Sequence, residues 1–169
     1  MVSKKIVLVG DFSTGKTSLI RRFVDNQFSD SYLSTIGVKI SKKIISLEYE
    51  TVQALIWDIE GGTPQKAVNT TYLVGAHGCI LVADSIREET IDSIDSYIET
   101  VGRCAPKAAM ILVLNKCDML NEMEKEKLRK QMADRFHSRI KHIFFTSAKT
   151  GEEVEAMFHT IAMLVSPKG

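Results

Sequence analysis

The sequence predicts an α/β fold, a mostly parallel sheet covered by helices on both faces. Two observations carry this: short β-branched apolar runs recur along the whole chain, and segments with helical apolar spacing alternate with them. The run Lys5-Ile6-Val7-Leu8-Val9 stops at Gly10, as a buried strand does. Leu19, Ile20, Phe23 and Val24 then share one helical face. A pair of less buried strands follows near 38–47 and 51–58, joined as a hairpin around Glu48-Tyr49-Glu50. Further strands read at 79–83, 110–114 and 143–146. Between them, Ile91, Ile94, Ile98 and Val101 make one apolar helical stripe, and Leu128, Met132 and Phe136 make another. Asn121 and Glu124 stand before that second stripe like an N-cap and its N3 partner. Val154, Met157, Phe158, Ile161 and Val165 form the last stripe. Such stripes pack against a core.

A chain of 169 residues without repeats or linkers reads as one domain spanning 1–169. No stretch approaches the roughly 18 apolar residues of a membrane span. The Met1-Val2-Ser3-Lys4-Lys5 start has no apolar signal region. With 22 basic and 21 acidic side chains the net charge is +1, which gives no electrostatic reason for a nucleic-acid partner. The three cysteines, Cys79, Cys104 and Cys117, are odd in number and scattered, as reduced thiols of a cytoplasmic protein would be. The four histidines, His77, His137, His142 and His159, show no metal-ligand spacing.

Ligands of an open α/β sheet sit at the carboxyl ends of its strands, so the loops there carry the chemistry. The first is Gly10-Asp11-Phe12-Ser13-Thr14-Gly15-Lys16-Thr17, a phosphate-loop pattern between a strand and a helix. Its glycines let successive N–H groups turn inward onto phosphate oxygens, and the helix N-terminus adds favourable dipole charge. Ser13, Thr14, Gly15, Lys16, Thr17 and Ser18 form this cradle, with the Lys16 ammonium on the β- and γ-phosphates and the Thr17 hydroxyl on Mg²⁺.

That loop says nucleoside triphosphate, and Asn115-Lys116-Cys117-Asp118 after the strand at 110–114 chooses the base. The Asp118 carboxylate accepts from both the ring N–H and the exocyclic amine of guanine. Adenine lacks those donors and would leave it unpaired, a mismatch that discriminates by ~10⁴-fold or more. In Ser147-Ala148-Lys149, after the last strand, the Ala148 N–H suits the guanine carbonyl. In Asp58-Ile59-Glu60-Gly61, at another strand end, Asp58 suits a Mg²⁺-bound water and the Gly61 N–H suits the γ-phosphate.

These motifs, in this order and over almost the whole chain, resemble the Ras-like small GTPases. Tyr32-Leu33-Ser34-Thr35-Ile36-Gly37-Val38, Trp57-Asp58 and Tyr72-Leu73-Val74-Gly75-Ala76-His77-Gly78 look like the Rab branch. The resemblance implies a Ras-like P-loop NTPase fold, α/β, with a six-stranded mostly parallel sheet and about five helices. It implies GDP and GTP as ligands, Mg²⁺ held through Thr17, Thr35 and Asp58, and Phe28 against the guanine. Lys16, Thr35 and Gly61 would act on the γ-phosphate. Residues about 30–40 and 59–75 would be the moving switches, meeting protein effectors and exchange factors. The expected protein is a cytoplasmic monomer. His77 carries no chemistry that the sequence assigns.

The departures fall where catalysis is expected. Phe12 stands where the family has glycine or another small residue, and Ile59-Glu60 replace its Thr-Ala. Gly62 stands where the family carries the glutamine that orients the attacking water. Lys39-Ile40 differ from the Asp-Phe common in Rabs. Gln65 is a substitute only if its loop is displaced, and otherwise faces solvent at a helix start. The end Val165-Ser166-Pro167-Lys168-Gly169 has no prenylation box and Val2 stands where myristoylation requires a glycine, so no membrane anchor is expected in this chain. A tail-less member and a trimmed chain both fit. The reading is a guanine-nucleotide switch with slow GTP hydrolysis, the alternative a GTP-holding scaffold with negligible turnover. A phosphate-loop kinase or ATPase is disfavoured by Asp118.

Overall fold

The computed structural model describes residues 1–136 and 138–167. His137, Lys168 and Gly169, named above, lie outside the described residues. The chain runs β1 (Val2–Val9), α1 (Lys16–Asp25), β2 (Val38–Ser46), β3 (Thr51–Ile59), β4 (Gly78–Asp84), α2 (Glu88–Asp92), α3 (Ile94–Cys104), β5 (Ala109–Asn115), α4 (Glu122–Phe136), β6 (Ile143–Phe145) and α5 (Val154–Val165). Single 3₁₀ turns stand at Thr70–Leu73 and Cys117–Met119. The strands form one six-stranded sheet in the order β2-β3-β1-β4-β5-β6. Only the β2–β3 hairpin is antiparallel, and every other pairing is parallel.

The period-2 alternation of the strands sorts their side chains between two cores. Val7, Val9, Leu81, Leu112 and Leu114 face α2, α3 and α4. Ile6, Leu8, Ile80, Val82, Ile111 and Val113 face α1 and α5. Each such Leu or Ile, fully buried, contributes about 1.5–3 kcal/mol. On the second face Phe23 of α1 stacks on Phe158 of α5, centroids 4.1 Å apart and planes 9° apart. That pair adds roughly 0.5–1.5 kcal/mol beyond its area.

Both strands of the predicted hairpin form, but only β2 is poorly buried. β3 is flanked by β1 as well as β2, and Val52, Ala54, Ile56 and Asp58 are all buried along one face. The stripe from Ile91 to Val101 is buried as expected, yet it lies on two helices that meet at Ser93. There the Ser93 hydroxyl donates to Asp11 Oδ2 at 2.6 Å, with the Glu89 carbonyl oxygen 3.0 Å away. α4 begins as its sequence demands. The Glu124 N–H donates to Asn121 Oδ1 at 2.8 Å and the Asn121 N–H to Glu124 Oε2 at 2.9 Å, a reciprocal cap.

Residues 26–37 form no regular structure and are mostly exposed. Residues 60–77 form no helix or strand beyond a bridge from Gly62 to Asp11, a tight turn at 63–66 and the 3₁₀ turn at Thr70–Leu73. The end of that segment is sutured to the sheet. The Lys5 ammonium sits 3.7 Å from the Trp57 ring centroid and donates to the Val74 carbonyl at 2.8 Å. His77 Nδ1 accepts the Lys5 N–H at 3.1 Å, a structural role its sequence context did not reveal. No helix among the described residues is long and apolar enough to cross a membrane.

Candidate functional site

The loop between β1 and α1 is shaped by taking up its own carbonyls. Ser13 and Gly15 adopt positive φ (65° and 95°), which turns the peptide planes over. Lys16 Nζ donates to the Gly10 and Asp11 carbonyls at 3.2 and 2.8 Å, and Thr14 Oγ1 to the Asp11 carbonyl at 3.0 Å. Arg87 reaches the Phe12 carbonyl at 3.2 Å. Lys116 Nζ holds the Ser13 carbonyl and Asn115 Nδ2 the Thr14 carbonyl, each at 3.0 Å. With the carbonyls fixed outward, the loop's N–H groups concentrate on the other side, an anion-binding concavity.

The start of α1 is built for the same purpose. Its N-cap is Gly15, no side chain caps it, and its first turn holds no acid, whereas α2, α3, α4 and α5 each carry one or two there. Its free N–H groups and dipole favour a bound anion. Lys16 is 6% exposed, and burial pushes its ammonium down to about 8 against the opposing pull of Asp58 and Asp11. A phosphate beside it would restore the full charge.

A cavity of about 370 Å³ opens against this loop. At its phosphate end it is lined by Ser13, Gly15, Lys16, Thr17, Ser18 and Gly61, with Thr35 from the exposed segment. At its far end stand Phe28, Asn115, Lys116, Asp118, Ala148 and Lys149. Thr14, Asp58 and Ser147, also named from sequence, are buried behind the wall and hold the residues that line it.

The metal candidates converge. Thr17 Oγ1 lies 2.7 Å from Thr35 Oγ1 and donates to Asp58 Oδ2 at 2.6 Å. Asp58 Oδ1 is buried with no hydrogen-bond partner, and burial raises the carboxyl above its ordinary range despite Thr17 and Lys16. Two hydroxyls and a carboxylate short of positive charge fit Mg²⁺, a hard cation that takes oxygen ligands. Among the described residues no cluster of three His, Cys, Asp or Glu offers another metal site.

At the base end, Ser147 Oγ donates to Asp118 Oδ1 at 2.7 Å and fixes the carboxylate. Arg22 of α1 donates to the Ala148 and Lys149 carbonyls at 2.8 and 2.7 Å, joining that loop to the phosphate-loop helix. Asn115 is braced by Thr146, and Lys116 pairs at 2.7 Å with buried Asp84. Asn115 and Lys116 thus hold the phosphate loop as well as line the cavity. Phe28 is half-buried, one part against the core and one part in the cavity.

The residues read as departures from the family take up contacts that their spacing did not reveal. Phe12 meets Tyr32 edge to face across the cavity mouth, centroids 5.3 Å apart. Glu60 Oε2 accepts the Gly37 N–H and Oε1 meets Lys66 Nζ, each at 3.0 Å. The Gly37 N–H and then Lys66 hold its carboxyl below the usual range. Gln65 sits exposed on the 63–66 turn, not at a helix start, and does not line the cavity.

The Ras family model matches residues 5–166. The Ras-related protein Rab-1C of Dictyostelium discoideum is 36% identical over 160 residues, 94% of this chain and 78% of that protein. Rab11A of Lotus japonicus is 35% identical, over 93% of this chain and 69% of its own length. Rab-13 of Rattus norvegicus is 34% identical, over 94% and 77%. Matched by the family model over residues 5–166 and by these Rab proteins over more than nine tenths of its length, the chain belongs to the Ras family as a Rab-like, GTP-binding small GTPase.

Proposed function

We propose that this chain, as one G domain over 1–169, holds GDP or GTP with Mg²⁺ and hydrolyses GTP slowly. The observation that carries the reading is the convergence of Lys16, Thr17, Thr35 and Asp58 at one end of a cavity whose other end presents Asp118. Mg²⁺ would be held by Thr17 and Thr35, with Asp58 accepting from a metal-bound water, and would neutralise charge on the β- and γ-phosphates. Lys16 and the loop N–H groups would stabilise charge developing on the γ-phosphate, and the Gly61 N–H would meet it from the opposite side. Nothing at 62 or 65 orients the attacking water, which removes a large share of the barrier reduction. Phe12, held against Tyr32, narrows the path by which a partner's arginine would enter. Ile36 and Val74, 85% and 61% exposed, would offer apolar contacts to an effector on the two irregular segments.

Denaturing the purified protein and separating the released nucleotide tests the ligand. Guanine nucleotide is expected, and adenine nucleotide would overturn the reading. In single-turnover assays hydrolysis is expected to run slower than in glutamine-containing relatives, and an equal rate would refute slow turnover. GTP recovered unhydrolysed after many hours would favour the scaffold reading, which the closed Phe12–Tyr32 contact also suits.

Metal removal gives a separate check. EDTA is expected to speed GDP release at least about tenfold, a barrier change of ~1.4 kcal/mol. Release indifferent to EDTA would reject the Thr17–Thr35–Asp58 assignment.

A further inference from the structure

Gly62 is more than a missing side chain. Its carbonyl accepts the Phe12 N–H at 2.9 Å and its N–H donates to the Gly10 carbonyl at 3.2 Å. A parallel bridge between Asp11 and Gly62 extends the β1–β3 pairing past the strand ends. The segment after β3 is therefore docked on the phosphate loop by its backbone.

The space above Gly62 is already taken. A Cβ built there would stand 2.4 Å from the Tyr97 hydroxyl oxygen, and 3.5 Å from Tyr97 Cζ. Tyr97 belongs to α3, is 9% exposed and packs in the core with Ile94 and Ile98, its other side lining a second cavity with Gly62, Ser96 and Thr100. The hydroxyl is held as well: it donates to Asp11 Oδ1 at 2.6 Å, while Ser93 Oγ donates to Asp11 Oδ2 at 2.6 Å. Burial and the Asp11 carboxylate raise the phenol well above its ordinary range, so it stays protonated and remains a donor.

We propose that Tyr97 is a positioning residue of the hydrolytic site: its hydroxyl, anchored on Asp11, occupies the space where a side chain at 62 would begin, and so confines position 62 to glycine and bars a water-orienting side chain from it. This rests on the guanine-nucleotide reading above. A water-orienting side chain cannot be restored at 62 alone, because its first carbon collides with a held oxygen. Removing that oxygen alone leaves Cζ at an ordinary contact distance.

The test is a cycle of four proteins: parent, Gly62→Gln, Tyr97→Phe, and both together. Nucleotide content, melting temperature and single-turnover GTP hydrolysis are read for each. Gly62→Gln alone is expected to lower the melting temperature and to change hydrolysis by no more than about twofold. The double variant is expected to regain melting temperature relative to Gly62→Gln and to hydrolyse GTP about tenfold faster than either single variant. If Gly62→Gln does not fold, Gly62→Ala in the two Tyr97 backgrounds reads the same collision through the melting temperature. Additive melting shifts would overturn the proposal, as would a Gly62→Gln protein already as fast as the double. Coupled stability without a rate gain would make Tyr97 a packing residue only and would equally overturn it. Failure of the guanine reading would show separately, in the nucleotide released from the parent.

Discussion

Asp118→Asn is expected to weaken GDP binding by about 10³-fold or more and to transfer preference to xanthine nucleotides. The carboxylate lines the base end of the cavity, and Ser147 Oγ donates to its Oδ1. An asparagine would keep that bond by offering its carbonyl oxygen to Ser147, which turns its NH₂ toward the ligand. Against guanine this sets donor against donor and leaves two N–H groups unpaired in a confined site. Against xanthine, whose oxygen replaces the exocyclic amine, the same NH₂ finds an acceptor. Competition of GDP and xanthosine diphosphate for the parent and variant reads the exchange. A variant that binds GDP as tightly as the parent would remove Asp118 from the base pocket.

Gly15→Ala is expected to destabilise the fold by roughly 2–5 kcal/mol, combining the left-handed backbone penalty with a broken buried hydrogen bond. Gly15 has φ +95°, and a Cβ there would stand 2.2 Å from Asn115 Nδ2. That nitrogen holds the Thr14 carbonyl at 3.0 Å, so its displacement frees one of the oxygens that shape the loop. Nucleotide affinity should fall by about 10²-fold or more, since misplacing a positioning group by about an ångström already costs that much. Urea unfolding and GDP titration measure the two effects. A loss of stability below ~1 kcal/mol would mean that Asn115 yields freely, against its bond to Thr146.

The strands, the α4 cap and the phosphate loop were legible because each is written in consecutive residues whose spacing matches one local geometry. Lys16, Thr17 and Asp118 stand in such strings, and the fold brings their strings to one edge of the sheet. Asp11, Ser93 and Tyr97 were not legible. Their contacts span 82 and 86 residues, and no local pattern says which hydroxyl will face which carboxylate. Glu60 read as a departure at a family position, but its bond to Gly37 depends on how an irregular segment lies against the end of β3. The break at Ser93 was hidden for a related reason. The apolar stripe of α2 and α3 continues across it, and periodicity is blind to the long-range bond from Ser93 to Asp11 that falls at the join. Burial of β3 was underread because alternation alone does not reveal that a hairpin strand is also a neighbour of β1.

The phosphate loop and the segment at 26–37 differ in how much of their shape is fixed by bonds to the rest of the chain. The loop's carbonyls from Gly10 to Thr14 are each held by a side chain, so nucleotide meets a surface already in its binding shape. Residues 29–33 and Thr35 complete the cavity from a mostly exposed stretch with little of its own bonding, and ordering it consumes part of the interaction energy. On the proposed function, capture and retention are therefore expected to rest on different parts of the chain. The cradle would set encounter, as a concentration-dependent step. The settling of Tyr32 and Thr35 would set residence, as a unimolecular step that saturates with nucleotide. A partner that touched only 26–37 would then shift the lifetime of the complex more than its rate of formation.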